Sequence, residues 1–309
     1  MSAREPTAPE ESENRSWLSV HSLLTDDSNA FVAVAGLPLV RESITAGRCD
    51  LGPGTLRNAL KRLSVYDLET GSDLSALRVF DAGDLPMEAL APEEAFDPVV
   101  KSVRALCANH ALTILIGGNN AITRPGVHGV HANMKQVGLL TLDAHFDLRD
   151  TDGGLNNGNP IRALLEDGFP GSHISQVGLA PFANTKKAHE KAKASGISAR
   201  TLGECFEQGF VAVVREELDK LAHKCNHIYV DFDIDVIERA QMPAAPGARP
   251  GGISVRDFFA AARVVAAHPK VRCVDLSEFD PSTDVNAVGA LVAGRWFAEI
   301  LAGFVARPR

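Results

Sequence analysis

Two groups of metal-type side chains on alternate residues constrain this chain more than anything else in it. They are Asp143-Ala144-His145-Phe146-Asp147 and, ninety residues on, Asp233-Ile234-Asp235. An extended chain has a period of two, so residues i, i+2 and i+4 project to one side and Asp143, His145 and Asp147 can converge on one point. The runs before the two groups, 137–142 and 227–230, read as short buried strands of the continuously apolar kind found in parallel sheets. In open α/β sheets the carboxyl ends of the strands line the ligand crevice, which would bring both groups to one cavity. A mixed set of carboxylates and one imidazole suits Mn²⁺ or a similar divalent ion better than a sulfur-rich zinc site does. A single Asp-x-Asp is more often a solvated turn or a helix start. Two such groups at strand ends, one of them containing a His, favour a metal.

Around them the chain alternates strand and helix. Strands are expected at 31–35, 112–116, 137–142, 174–178, 227–231 and 271–276, and helices at 54–62, 124–134, 160–167, 183–195, 207–222, 255–266 and 285–305. Such alternation predicts an α/β fold with a mostly parallel sheet and helices on both faces. Residues 1–16, rich in Glu, Pro, Ser and Thr, read as a disordered arm ahead of a single domain over 17–309. Gly117-Gly118 follows a strand but matches neither phosphate-binding glycine pattern, so it reads as a tight turn presenting Asn119 and Asn120 beside the other strand ends. Of the ten histidines only His145 falls in a ligand group; His128 and His131 read as packing or surface residues.

Composition narrows the partners. With 39 acidic and 31 basic residues the formal charge is −8, and no basic stripe interleaved with aromatics occurs, which argues against nucleic acid. The five cysteines are odd in number and scattered, as expected of free thiols in a reducing compartment. No stretch is expected to reach the roughly 18 apolar residues of a membrane span, and the first fifteen residues lack the apolar core of a signal peptide. These readings point to the cytoplasm.

At the motif level the chain resembles the ureohydrolases: arginase, agmatinase, guanidino-acid hydrolases and formimidoylglutamase. The family's Asp-Ala-His-x-Asp stands intact at 143–147. Its Ser-x-Asp-x-Asp-x-x-Asp-Pro appears as Asp231-Phe232-Asp233-Ile234-Asp235-Val236-Ile237-Glu238-Arg239, and its later glutamate as Asp275-Leu276-Ser277-Glu278-Phe279-Asp280-Pro281. The first motif, usually Gly-Gly-Asp-His, reads Gly117-Gly118-Asn119-Asn120, with an amide where the family has a ligating imidazole. Asn157 likewise stands where arginase and agmatinase relatives carry a His that an amide cannot replace in acid–base work.

The resemblance implies a three-layer arginase-like fold, two divalent cations, and a homo-oligomer, trimer or hexamer. It also implies a ligand set of Asn120, Asp143, His145, Asp147, Asp233 and Asp235. In that set Asp143 and Asp233 bridge, Asp147 and Asn120 hold one ion, and His145 and Asp235 hold the other. Two ions sharing a water would lower its pKa towards neutrality, and the reaction would be hydrolysis of a C–N bond in an amidine or guanidine. Asp147 would pass the proton to the departing nitrogen, and Glu278 would hold the cationic reacting group.

Arg149, two residues beyond Asp147, gives His-x-Asp-x-Arg, a pattern similar to formimidoylglutamase members. With Arg162 and the Asn157 loop it is expected to bind a substrate carboxylate. Asp150, Asp152 and Glu166 offer both arginines a competing ion pair. N-formimidoyl-L-glutamate is therefore the first expected substrate. The alternatives are a guanidino acid or agmatine, or a non-catalytic member with a degraded metal site.

Overall fold

The computed structural model describes residues 17–308, so the arm expected over 1–16 lies outside it. In chain order the strands are β1 (Leu24–Thr25), β2 (Val32–Leu37), β3 (Tyr66–Asp67), β4 (Ser72–Asp73), β5 (Val79–Asp84), β6 (Leu112–Gly117), β7 (Val137–Leu142), β8 (Ile174–Leu179), β9 (Ser198–Thr201), β10 (His227–Asp233) and β11 (Val271–Ser277). The α-helices are α1 (Gly52–Ala59), α2 (Pro92–Asn109), α3 (Thr123–Val130), α4 (Pro160–Glu166), α5 (Lys186–Ser195), α6 (Leu202–Gln208), α7 (Phe210–Lys224), α8 (Val255–Ala267) and α9 (Val288–Val305). Among the described residues nine strands make one sheet in the order β1-β5-β2-β6-β11-β10-β7-β8-β9, with every neighbouring pair parallel. Strands β3 and β4 form a separate antiparallel pair.

The period of two in the strands builds the layers. In β10, Ile228, Val230 and Phe232 join one apolar core and Tyr229 the other; in β7, Leu140 and Leu142 oppose Val137 and Leu139. The first core is closed by α1, α7, α8 and α9, the second by α2, α3, α4 and α5. Because both faces are covered, β2, β6 and β7 are buried at every position, as their apolar runs require. The three-layer α/β expectation holds.

Several elements differ from the sequence reading. Residues 63–111 carried no assignment, yet they hold the β3–β4 pair, β5 and α2. Strand β5 mixes Asp and Gly into its run and is only partly buried, and α2 contains Pro98, a residue that reads as a helix breaker. The helix expected over 207–222 is two helices, because Gly209 adopts φ +86° between them. Helix α9 corrects the membrane-span expectation: its eighteen residues have a mean hydropathy of 1.5, enough in length and apolarity to cross a bilayer. It is instead a core helix, 67% buried, whose charges Arg295 and Glu299 pair at 2.6 Å.

The four adjacent strands β6, β11, β10 and β7 position the site. Parallel pairing puts their carboxyl ends side by side: Asp233 registers with Ser277, and Phe232 with Leu142, one residue before Asp143.

Candidate metal centre

Each of those four strands delivers a polar turn. After β6 the chain turns at Gly117-Gly118, where a Cβ on Gly118 would collide with the backbone of Leu39; only glycine permits the approach that lets the Asn119 N–H donate to the Leu39 carbonyl at 2.8 Å. Asp147 after β7 and Glu278 after β11 both hold positive φ, +51° and +61°. That conformation is uncommon and strained for residues other than glycine, and such strain concentrates at functional sites. Both residues line a cavity of about 610 Å³, together with His145, Asp233, Asp235, Arg149 and Asn157.

At its base one oxygen of Asp143, one of Asp235 and a ring nitrogen of His145 all lie within 4.8 Å of one another. His145 Nδ1 is 2.9 Å from Asp235 Oδ2 and 3.6 Å from Asp143 Oδ1. The local backbone fixes these carboxylates: the His145 N–H donates to Asp143 Oδ1 at 2.6 Å, the Ala144 N–H to Asp235 Oδ1 at 3.3 Å, and the Asp235 N–H to Asp233 Oδ1 at 2.9 Å. Burial works against charge on His145, but Asp235 and Asp143 more than offset it and push its pKa up to about 12. Burial and then Asp235 push Asp143 up to about 6; burial with the neighbouring carboxylates pushes Asp147 and Asp233 well above the usual range. Asp235 alone is lowered, because His145 outweighs its burial. Asp143 Oδ2 is buried and has no hydrogen-bond partner. Mutually repelling carboxylates with an orphaned oxygen and an imidazole fit a divalent cation of the oxygen- and nitrogen-preferring kind.

Asn120 is buried beside them, and its amide is hydrogen-bonded at both ends. Its Nδ2 donates to Asp147 Oδ2 at 2.5 Å, and its oxygen accepts from Thr123 Oγ1 at 2.7 Å and Ser277 Oγ at 3.3 Å. The atom expected to ligate a metal is thus held by two hydroxyls, and the amide serves as a tether for Asp147. Asn157 has a similar use: its Nδ2 donates to Glu278 Oε1 at 2.9 Å while its oxygen accepts from the Ile44 N–H at 2.8 Å. The Asn120 N–H donates to the same Oε1 at 2.7 Å. Burial nevertheless pushes Glu278 up to about 7.

Arg162, expected at the substrate, is turned away. On α4 it pairs with Glu166 one turn on at 2.5 Å and with Asp150 at 3.6 Å, the competing arrangement its neighbours offered, and it does not line the cavity. His128 faces Asp167 at 2.8 Å, and His131 stacks on His227, so both are packing residues as expected.

The sequence reading passed over a polar layer beneath the base. Asp231 and Asp275 are fully buried, and Tyr229 Oη donates to Asp275 Oδ2. Burial raises both carboxyls: Asp275 adds to the rise of Asp231, whereas hydrogen bonds from Asp231 and Tyr229 limit Asp275 to about 6. The available signal was an aspartate inside each of two otherwise apolar strands.

A model of the arginase family matches residues 30–303. The formimidoylglutamase of Bacillus subtilis (strain 168) is 28% identical over a 280-residue match that covers 89% of this chain and 88% of that protein. Among solved structures, that of formimidoylglutamase from Bacillus subtilis subsp. subtilis str. 168 is similar at a TM-score of 0.91 and 26% identity, covering 99% of this chain and 97% of the other. Trypanosoma cruzi formiminoglutamase with Mn²⁺ gives a TM-score of 0.87 at 26% identity, covering 94% of this chain and 99% of the other.

Proposed function

Since this chain belongs to the arginase family, we propose that it hydrolyses N-formimidoyl-L-glutamate to L-glutamate and formamide with two divalent cations, Mn²⁺ first. The comparison proteins supply the reaction class and the metal. The observation in this chain that carries the substrate is Arg149: a guanidinium at the wall of a cavity whose base is otherwise acidic, with no carboxylate of its own within ion-pair distance among the described residues. A substrate that carries both an amidinium and carboxylates matches that polarity, whereas agmatine has no carboxylate to offer it.

Asp143, His145, Asp147, Asp233 and Asp235 would hold the cations. Bound there, divalent ions make water a competent nucleophile at neutral pH. The protein's part is orientation and proton movement. Glu278, fixed through Oε1 by the Asn120 N–H and the Asn157 amide, holds the amidinium. The water oxygen bonds to the amidine carbon, and the bond from that carbon to the α-nitrogen breaks. The nitrogen leaves protonated as the amine of glutamate, and the carbon leaves as formamide. Asp147, tethered by Asn120, is the group assigned to pass the proton to that nitrogen.

Product analysis on a panel of N-formimidoyl-L-glutamate, agmatine and guanidino acids tests this. Equal amounts of formamide and L-glutamate from the first, with little urea from the others, is the expected result. Faster urea release from agmatine or a guanidino acid would overturn it.

A further inference from the structure

Three Lys or Arg side chains line the cavity: Arg149, Lys187 and Arg249. Lys187 is neutralised by Asp150 at 2.5 Å. Among the described residues neither arginine has a carboxylate oxygen within 4 Å; Arg249 donates through Nη1 to the carbonyls of Gly247 at 2.9 Å and Ala248 at 3.5 Å, which leaves Nε and Nη2 without a protein acceptor. A guanidinium without an anion, beside a strongly acidic base, is charge-complementary to something the protein itself does not provide.

The position of Arg249 follows from Gly247. A Cβ at Gly247 would overlap Asp235 Oδ2 and lie 3.2 Å from His145 Cε1, so the backbone of the 237–252 segment rests directly on two of the candidate ligands. Arg249 comes two residues later, at the wall of the same cavity. Arg149 reaches that cavity from the segment after β7, anchored by its N–H to the Gly158 carbonyl at 3.1 Å, and β7 is the hydrogen-bonded neighbour of β10, from which the Arg249 segment departs. Two guanidiniums thus rise from adjacent strand ends over one acidic floor.

We propose that Arg249 is a specificity-determining residue that binds one carboxylate of the substrate while Arg149 binds the other. The assignment rests on the dicarboxylic amidine proposed above and gives it a second anchor in place of Arg162. It explains how a dicarboxylate enters an acidic cavity: each carboxylate meets a guanidinium while the amidinium goes to Glu278.

Arg249→Gln, with exposed side chain and no ion pair to lose, should fold with an unchanged Tm. On N-formimidoyl-L-glutamate it should raise KM at least tenfold and leave kcat within about twofold. Two single-carboxylate analogues locate the contact: 4-(formimidoylamino)butyrate keeps only the distal carboxylate and N-formimidoyl-L-norvaline only the proximal one. The substitution should raise KM on one of these and leave the other unaffected. An unchanged KM on the diacid, or equal losses on both analogues, would overturn the assignment while leaving the reaction intact. Calorimetric binding of L-glutamate to the Mn²⁺-loaded protein gives a readout independent of turnover. Binding by the wild type that weakens at least tenfold in Arg249→Gln supports the assignment whichever amidine is hydrolysed, and a wild type that does not bind L-glutamate overturns it.

Discussion

Asn120 donates its amide to Asp147 and receives Thr123 and Ser277 at its oxygen, so the position where ureohydrolases carry an imidazole here ties a carboxylate to the strand end. Asn120→His removes those ties and offers a ring nitrogen beside Asp147. One of the two ions should then bind roughly tenfold to a hundredfold tighter, the usual scale for changes around metal ligands. Metal analysis along a Mn²⁺ titration checks this, and superimposable curves for the two proteins would count against it. Glu278 is a different kind of residue: it sits in the cavity and is held through one oxygen only. Glu278→Gln preserves its shape but removes its charge. Metal content should stay unchanged while kcat/KM falls about a hundredfold, as for other losses of preorganised charge. Turnover within a few-fold of wild type would remove Glu278 from the mechanism. Glu278 was singled out only by its motif resemblance, whereas the convergence of Asp143, His145 and Asp147 with Asp233 and Asp235 was legible because alternate ligand-type residues after apolar runs are rare and physically specific. The left-handed backbone at Asp147 and Glu278 was not, since neither is the glycine that normally signals it. Nor was the fate of the two amides, because hydrogen-bond partners separated by 27 and 121 residues leave no local trace.

At the scale of elements, the strands with continuous apolar runs were readable to within a residue or two, and β7 matched over Val137–Leu142. Their regularity reflects burial on both faces, which removes the polar positions that make other strands ambiguous. Strand β5 and helix α2 escaped notice for the opposite reason: partial exposure admits polar residues, and tertiary packing carries a helix through Pro98. The packing of α3 against the end of α4 rests on a polar junction that is testable by pH. Arg124 donates to both oxygens of Asp167 at 2.7 Å, and His128 approaches at 2.8 Å. Burial alone would raise the Asp167 pKa, but Arg124 and His128 outweigh it and hold it at about 2, below its unfolded value of 3.8. A depressed acid stabilises the fold above its unfolded pKa and loses that contribution as pH falls through the folded value. Asp167→Asn should therefore cost about 2 kcal/mol at pH 6, with the difference closing between about pH 4 and pH 2. Urea unfolding at several pH values measures it; a penalty that persists unchanged at pH 2 would show that packing, not charge, holds the junction.

For the molecule as a whole, the sheet order places the acidic floor at the carboxyl ends of four adjacent strands and covers both faces with helices, including the apolar α9. Concentrating five carboxyl groups there is unfavourable without a counter-charge, so cation binding should couple to global stability. Mn²⁺ at a hundredfold excess over its Kd should stabilise the fold by about 2.7 kcal/mol for each site it fills, read as a rise in Tm that a chelator reverses. The most direct test of the account is one titration that follows bound Mn²⁺ and formamide release from N-formimidoyl-L-glutamate together. The metal-stripped chain should be inactive, and rate should rise to a plateau as bound metal reaches two ions per chain, with formamide and L-glutamate formed in equal amounts. Undiminished turnover by the stripped chain, or no turnover by a chain holding both ions, would contradict it.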